Sequence, residues 1–209
     1  MPQITKNVLL IVAHPDDETL WAGGTILSNP SWNCFVISLC RKNDSDRASK
    51  FYAALKILNA NGIMGDMDDG PEQKPLDQKD IKEKIMELIP PSHFHIVITH
   101  NPSGEYTRHL RHEETSRAVQ KLWEYGQLLT DELWLFAYED RNKEQLPMAS
   151  IKASIYNSLS KEIWGKKYSL ITITYGFNKN DWEAIITPKA EAFWTFTNPA
   201  EISKTDITM

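Results

Sequence analysis

The hydrophobic pattern of the chain alternates between short, continuous apolar runs and longer stretches with helical spacing. Continuous apolar runs are typical of strands that are buried on both faces of a parallel sheet, and they occupy residues 8–13, 34–40, 94–99 and 133–138. Residues 63–67 predict a short strand, and the alternation at 168–175 predicts another. Apolar residues at helical spacing predict helices over 19–27, 48–58, 78–89, 108–123, 151–164 and 188–196.

Strands that alternate with helices in this order predict an α/β fold with a mostly parallel, doubly wound sheet. The chain has 209 residues and shows no repeat, low-complexity tract or linker that would divide it. We therefore expect a single domain over residues 1–209.

Composition and charge narrow the classes of partner. The net charge of −5 argues against a nucleic-acid or anionic-membrane partner, since both require basic patches. No apolar run reaches the ~18 residues of a membrane span, and the N-terminal run is too short for a signal peptide. Two cysteines are too few for a disulfide scaffold, which indicates a reducing cytoplasm. A homo-oligomer is compatible with the sequence.

The first candidate for chemistry directly follows the first strand, at His14-Pro15-Asp16-Asp17-Glu18. Pro15 ends the strand, so these polar side chains lie at the carboxyl end of a buried strand, where open α/β sheets bind ligands. His14 and Asp17 suit one Zn²⁺ ion, with Asp16 facing its open position as a base. The alternative is that the acids only cap the following helix, but three adjacent carboxylates repel one another and gain little as caps.

Histidines at a second place complete this set. His109 and His112 are three residues apart on the helix that follows strand 94–99, so they share a helix face at the same sheet edge as His14. Two imidazoles and one carboxylate form the ligand set of a catalytic zinc site, and Fe²⁺ would fit them too. The alternative is that each histidine is only a solvated residue. We interpret His93 and His95, at the opposite sheet edge, as structural.

Familiar nucleotide and hydrolase signatures are missing. The chain has no Gly-x-Gly-x-x-Gly after the first strand, no P-loop and no Gly-x-Ser-x-Gly. A dinucleotide site, a P-loop enzyme and a serine hydrolase are therefore unsupported.

These motifs resemble one known family. Residues 13–18 (Ala-His-Pro-Asp-Asp-Glu), residues 23–25 (Gly-Gly-Thr) and the His-x-x-His at 109–112 are similar to those of the PIG-L/LmbE family of zinc-dependent de-N-acetylases, which act on N-acetylglucosamine conjugates. The resemblance implies a Rossmann-like three-layer sandwich, in agreement with the predicted strand and helix order. It also implies an enzyme that releases acetate and a free amine from a small amino-sugar-type substrate.

The resemblance assigns roles to individual positions. It implies that His14, Asp17 and His112 hold the metal and that Asp16 is the general base. His109 matches the residue that stabilises the oxyanion or protonates the leaving amine, a role for which a neighbouring carboxylate would keep it protonated. Two departures stand out: Leu110-Arg111 replaces an interior that is often Pro-Asp, and Tyr106, a candidate for the oxyanion, lies three residues before His109 rather than two.

Polar loop residues at the same edge are candidates for substrate contacts. The arginines would suit a phosphate or carboxylate on the substrate, and planar polar groups suit sugar hydroxyls. The candidates are Arg41, Arg47, Asn101 and Arg108, with Asn43, Asp68, Asp69, Glu105 and Arg111 as further polar residues of these loops.

Three other hypotheses remain open. The same metal chemistry would serve an amidase for another small N-acyl amine, because the motifs do not specify the acyl group. A sugar-binding module without turnover is a second possibility, supported only by the Leu110-Arg111 departure. A magnesium site built on Asp68 and Asp69 would leave the histidines unexplained, since Mg²⁺ prefers oxygen ligands.

Overall fold

The computed structural model describes residues 5–106 and 109–202. A seven-stranded sheet has the strand order β3-β2-β1-β4-β5-β9-β8, and a separate two-stranded ribbon joins β6 and β7. The strands are β1 Asn7–Val12, β2 Asn33–Cys40, β3 Ala60–Met67, β4 Phe94–Thr99, β5 Thr130–Phe136, β6 Tyr138–Glu139, β7 Met148–Ala149, β8 Ile155–Ser158 and β9 Ala190–Phe196.

The five strands from β3 to β5 in this order are parallel, whereas β9 and β8 join antiparallel at one edge. The central strand β1 pairs with β2 on one side and with β4 on the other, in register Leu10↔Val36 and Leu10↔Ile98. The predicted α/β fold with a mostly parallel sheet is confirmed.

Helices cover both faces of the sheet and give the three-layer sandwich. They are α1 Asp17–Ser28, α2 Ser45–Ile57, α3 Gln78–Leu88, α4 Leu110–Glu124, α5 Lys161–Ser169, α6 Trp182–Ile186 and α7 Pro199–Ile202, and a π-helical turn, Leu170–Thr174, extends α5. Among the described helices, none combines the length and the apolar character needed to cross a bilayer.

The core lies on both sides of β1, which explains its unbroken apolar run. Val8, Leu10 and Val12 pack into one hydrophobic cluster with α1 and α2, while Leu9 and Ile11 pack into the other with α3 and α4. Successive side chains of a strand point to opposite faces, so a strand between two helix layers must be apolar at every position.

The C-terminal third differs from the prediction. Residues 168–175, predicted as a strand, form the end of α5 and the π-helical turn, and the predicted helices over 151–164 and 188–196 contain the strands β8 and β9. Short apolar runs do not distinguish a strand from a helix by periodicity, and here packing decides. The β9 segment has aromatic residues at helical spacing, yet it pairs with β5, where Phe193 lies opposite Phe136.

Candidate metal and catalytic site

The loops after the first four strands meet at one edge of the sheet and enclose a small polar pocket. Its walls come from the turn after β1, the loops after β2 and β3, the segment after β4 and helix α6. They include His14, Asp16, Asp17, Arg41, Arg47, Asp69, Tyr106, His109, His112 and Trp182. The chain thus brings together both predicted halves of the site.

Three atoms converge on one point of this pocket. Nδ1 of His14 lies 3.2 Å from Oδ2 of Asp17 and 3.2 Å from Nε2 of His112, and the last two atoms are 3.3 Å apart. Ligands bound tetrahedrally to Zn²⁺ at its usual bond lengths are separated from one another by about 3.3 Å. The three atoms therefore have the spacing of one face of a tetrahedral site and fit a divalent metal.

Hydrogen bonds orient the His112 ring for this role. Its Nδ1 lies 2.6 Å from Oε2 of Glu105, a fully buried carboxylate that can only accept. Nδ1 therefore carries the proton, and Nε2 presents its lone pair to the pocket. A carboxylate that accepts from the far nitrogen of a metal-binding histidine is a common arrangement in metal sites.

His14 and Asp17 are oriented in the same way. Nε2 of His14 donates to Oδ1 of Asp69 at 3.1 Å, so that Nδ1 is free to bind a cation. Arg41 binds the other oxygen of Asp69 and fixes this carboxylate. For Asp17, Nε1 of Trp21 donates to Oδ1 at 3.1 Å and the backbone N–H of His14 donates to Oδ2 at 2.8 Å, so that Oδ2 keeps a second lone pair for a metal. Although burial alone would raise the pKa of Asp17, His112 and His100 lower it well below its usual range.

His100 lies beside this group, but its hydrogen bonds exclude it as a ligand. Nε2 accepts the backbone N–H of Ala13 at 3.0 Å, and Nδ1 donates to Glu105 at 3.0 Å. Burial lowers the pKa of His100, while Glu105 and Asp17 raise it to about 9. A second proton on Nε2 would nevertheless point at the Ala13 N–H, so we assign a neutral ring whose only lone pair is occupied.

Asp16 has a strained backbone next to the candidate metal ligands. Its φ of 133° lies in a region that non-glycine residues rarely adopt, and it forms the N-cap of α1. Its N–H donates to Oε2 of buried Glu18 at 3.0 Å, and the Tyr175 hydroxyl donates to Oε1 of Glu18 at 2.7 Å. The Asp16 carboxylate lines the pocket, 3.2 Å from Nη1 of Arg47. Burial, and then Asp17, raise the pKa of Asp16 well above its usual range.

His109 and Tyr106 also line the pocket. The His109 ring stacks on that of His112, with centroids 4.1 Å apart, and lies 5.7 Å from the Tyr106 ring. Nδ1 of His109 is buried and has no hydrogen-bond partner within the described ranges. Burial, then His112 and His14, lower the pKa of His109 to about 2. The lowered pKa and the unpartnered Nδ1 favour a neutral ring rather than the protonated His109 beside a carboxylate that we expected.

Residues 9–123, which hold every one of these groups except Tyr175 and Trp182, match the family described as PIG-L, GlcNAc-PI de-N-acetylase. The chain belongs to this family. A relative, protein L374 of Acanthamoeba polyphaga mimivirus, is 25% identical over 131 residues, which are 56% of this chain and 58% of that protein. The match thus spans less than two thirds of the relative.

Solved structures show that the fold is shared more widely than the sequence. N,N'-diacetylchitobiose deacetylase from Pyrococcus horikoshii is similar with a TM-score of 0.73 and 15% identity, over 97% of this chain and 88% of that one. A deacetylase of teicoplanin biosynthesis has a TM-score of 0.61 and 16% identity, over 90% of this chain and 97% of that one. GalB, a 4-carboxy-2-hydroxymuconate hydratase from Pseudomonas putida KT2440, has a TM-score of 0.65 and 16% identity, over 91% of this chain and 96% of that one. Since deacetylases and a hydratase share the fold, the reaction must be argued from the site.

Within this PIG-L family site, the predicted substrate residues divide into two groups. Arg41 and Arg47 line the pocket. Asn101 does not: it is buried beneath the site, where its side chain donates to Phe136 O and accepts from Ser103 N, so we withdraw it as a substrate contact. Arg108 lies outside the described residues.

Arg111 occupies the family's often acidic position between the two histidines, and its side chain points away from them. It donates to the backbone oxygens of Asp68 and Lys74 and pairs with Glu114. Arg111 thereby anchors the loop that carries Asp69. The departure from the family pattern therefore supports His14 indirectly, through this loop.

Sequence reasoning missed the partners that orient the ligands. Asp69 and Glu105 were considered only as polar loop residues, and no local pattern marks Tyr175 or Trp182, which reach the site from the C-terminal third. His95, by contrast, has the structural contact that we expected, since its Nδ1 accepts the backbone N–H of Asn7 at 3.0 Å.

Proposed function

We propose that the protein is a metal-dependent deacetylase that removes the N-acetyl group from an N-acetylglucosamine-type sugar or conjugate, releasing acetate and a free amine. The observation that carries the proposal is the convergence of three lone-pair donors in one pocket that also holds the carboxylate of Asp16, which is paired with Arg47 and is not one of the three. His14, Asp17 and His112 would hold the ion, for which Zn²⁺ fits the donor set and Fe²⁺ fits it as well. Such an ion, when bound, would lower the pKa of a water molecule and polarise the amide carbonyl.

Asp16 is the base in this proposal. It lies next to Asp17 in the chain, yet its oxygens face the pocket and are not part of the donor set. Its carboxylate would accept a proton from the attacking water and pass it to the amine nitrogen when the C–N bond breaks. Arg47, 3.2 Å from Oδ2, would keep the carboxylate aimed across the pocket.

His109 and Tyr106 would stabilise the negative charge that develops on the carbonyl oxygen. A neutral imidazole and a phenol can each donate one hydrogen bond, and both residues line the pocket with their rings 5.7 Å apart. Burial raises the pKa of Tyr106 far above neutrality, so its hydroxyl keeps its proton. Arg41 and Arg47 would contact substrate hydroxyls or an anionic substituent at the pocket's mouth.

Acetate release from a panel of N-acetyl sugars and other N-acyl amines tests this proposal. We expect release from an N-acetylglucosamine derivative by wild type, and a loss of about 10²-fold or more in Asp16→Asn with bound metal retained. His112→Ala should lose both metal and activity. Release from simple N-acyl amines but not from sugars would favour the other amidase hypothesis. Sugar binding with no acetate release by metal-loaded wild type would contradict hydrolysis and favour a binding module.

A further inference from the structure

Two aromatic residues outside the family match are connected to Asp16, the proposed base. Tyr175 and Phe177 follow the π-helical turn, whereas the match ends at residue 123. Tyr175 reaches the backbone of Asp16 through Glu18. Phe177 reaches the carboxylate of Asp16 through Arg47. Neither aromatic residue is among the described residues that line the pocket, so each can act on the reaction only through the residue that it contacts.

The first connection is a buried carboxylate with donors on both sides. Oε1 of Glu18 accepts the hydroxyls of Tyr175 at 2.7 Å and Thr19 at 2.5 Å, and Oε2 accepts the Asp16 N–H at 3.0 Å. Burial, and then Glu18, raise the pKa of Tyr175 well above its usual range, so its hydroxyl keeps its proton and donates. A hydrogen bond to an ionised group is roughly twice as strong as a neutral one, so it can offset the cost of the φ of 133° at Asp16.

The second connection is a stacked guanidinium group. That of Arg47 lies over the Phe177 ring, 4.8 Å from its centroid, and Nη1 is 3.2 Å from Oδ2 of Asp16. Arg47 lies in the first turn of α2, where Oδ1 of Asp44 accepts its backbone N–H at 3.0 Å. Because the cap fixes its backbone and the ring fixes its guanidinium, Arg47 keeps the Asp16 carboxylate in one orientation.

The π-helical turn places both aromatic residues at this position. The Tyr175 N–H donates to Leu170 O at 2.9 Å, five residues back, and the Phe177 N–H donates to Ile171 O at 3.2 Å. Gly176 between them has a φ of 79°, which glycine adopts without steric cost. Turns of the π type are rare and are frequently found at functional sites.

We infer that Tyr175 is a positioning residue for Asp16, which it holds by the backbone through Glu18, while Phe177 holds the Asp16 carboxylate through Arg47. The inference rests on the proposed function for the role of Asp16 as the base, but the hold on its backbone is independent of turnover. A base that is displaced from its place slows the chemical step and leaves substrate binding unchanged.

Steady-state kinetics of acetate release by metal-loaded Tyr175→Phe test the hold on the base. The variant loses one hydroxyl and keeps the ring, the donor set and the pocket lining. We expect kcat to fall about tenfold or more, with KM and metal affinity unchanged. Phe177→Leu should lower kcat/KM about two- to fivefold, as the loss of one cation–π contact predicts.

Tyr138→Phe is the matched control. It also removes a buried tyrosine hydroxyl that donates to α1, but this hydroxyl contacts Trp21 O at 3.0 Å rather than Glu18. A general loosening of the core would lower kcat in both variants, whereas positioning through Glu18 predicts that Tyr138→Phe keeps the kcat of wild type.

A comparison of stability tests the same connection without turnover. Alanine at position 16 keeps the strain of the φ of 133° and glycine does not, so Asp16→Gly should unfold at a higher urea concentration than Asp16→Ala. This difference should shrink to about half or less when each substitution is combined with Tyr175→Phe, because Glu18 then holds the N–H of residue 16 less firmly. In combination with Tyr138→Phe it should persist.

A kcat in Tyr175→Phe equal to that of Tyr138→Phe, or a glycine–alanine difference that is the same in both backgrounds, would overturn the inference. An unchanged kcat/KM in Phe177→Leu would exclude the second connection. The two measurements also separate the inference from the proposed function. If metal-loaded wild type releases no acetate while the glycine–alanine difference depends on Tyr175, hydrolysis is contradicted and the hold on Asp16 stands. Acetate release with a difference that is independent of Tyr175 does the opposite.

Discussion

Oε2 of Glu105 lies 2.6 Å from Nδ1 of His112, and this contact decides which nitrogen of the ring faces the candidate metal site. The same oxygen accepts from His100, and Oε1 accepts from the Asn101 N–H. In Glu105→Gln, one of these donors would meet an amide NH₂ group. We expect metal affinity to fall by about 10–100-fold, the usual effect of removing such a partner, as measured by competition with a chelator.

Glu114→Gln is the control for this prediction. Glu114 is also a buried carboxylate, two residues after His112 on α4, but it contacts Arg111 and the Leu76 N–H rather than an imidazole. A loss of buried charge that merely loosens the fold, including the loop that Arg111 anchors next to His14, would weaken metal binding in both variants. An affinity in Glu105→Gln equal to that of Glu114→Gln would exclude a specific role for Glu105.

The strained backbone of Asp16 predicts that replacement by glycine leaves the protein more stable than replacement by alanine. At φ 133° a non-glycine residue costs about 1–3 kcal/mol, whereas glycine adopts such angles freely and loses only about 0.5–1 kcal/mol through unfolded-state entropy. We expect Asp16→Gly to be about 1 kcal/mol more stable to urea than Asp16→Ala, with neither variant releasing acetate. Both lack the carboxylate, so their difference isolates the backbone strain. Equal stability would show that the strain is negligible.

The predictable part of the fold is the part whose pattern is local. β1, β2 and β4 were predicted because a strand between two helix layers must be apolar throughout, and α3 because Asp77 caps it, accepting from Lys79 N. The end of the chain was not predictable in this way. β9 carries the buried charge Glu191, which partners distant in sequence, Lys167 and two N–H groups of α1, make tolerable.

In the candidate site, too, residues in local motifs were predictable and residues brought in by the fold were not. The proposed ligands come from two short motifs, so the sequence predicts them, and the structure brings their donor atoms within 3.3 Å of one another. Glu105, Asp69 and Tyr175 act through hydrogen bonds that only the folded chain creates. The tautomers of the histidines, and hence which of them can bind a metal, depend on these distant groups.

The two thiols give a prediction that involves pH. Cys34 and Cys40 are free and buried, and burial raises the pKa of each to about 12 from 9.0. Because the thiolate is the reactive form, neither should react with a disulfide reagent near pH 8 in the native protein, and both should react in urea.

The raised pKa of the two thiols in the folded protein also affects stability. It stabilises the fold below pH 9, and this contribution is lost as the pH rises from 9 towards 12. Rapid labelling of the native protein would contradict the burial of these thiols.

A buried ion pair, Lys167–Glu191, ties α5 to the middle of α1 through β9. Nζ of Lys167 lies 2.7 Å from Oε1 of Glu191, both side chains are fully buried, and Glu191 also accepts the N–H groups of Gly24 and Thr25. Lys167→Met leaves the carboxylate without its cation, which should lower the free energy of unfolding by about 3–5 kcal/mol in urea titrations.

The neighbouring residue provides the matched control for Lys167→Met. Lys166 makes an ion pair of 2.8 Å with Glu162, but both side chains are mostly exposed, and pairs of that kind contribute about 0–1 kcal/mol. Lys166→Met should therefore change the free energy of unfolding very little. The double variant Lys167→Met/Glu191→Gln should recover part of the stability, because the uncompensated charge is gone and one amide oxygen still accepts from α1. If Lys167→Met and Lys166→Met were equally stable, the pair would not hold α1, and the two N–H groups alone would account for the burial of Glu191.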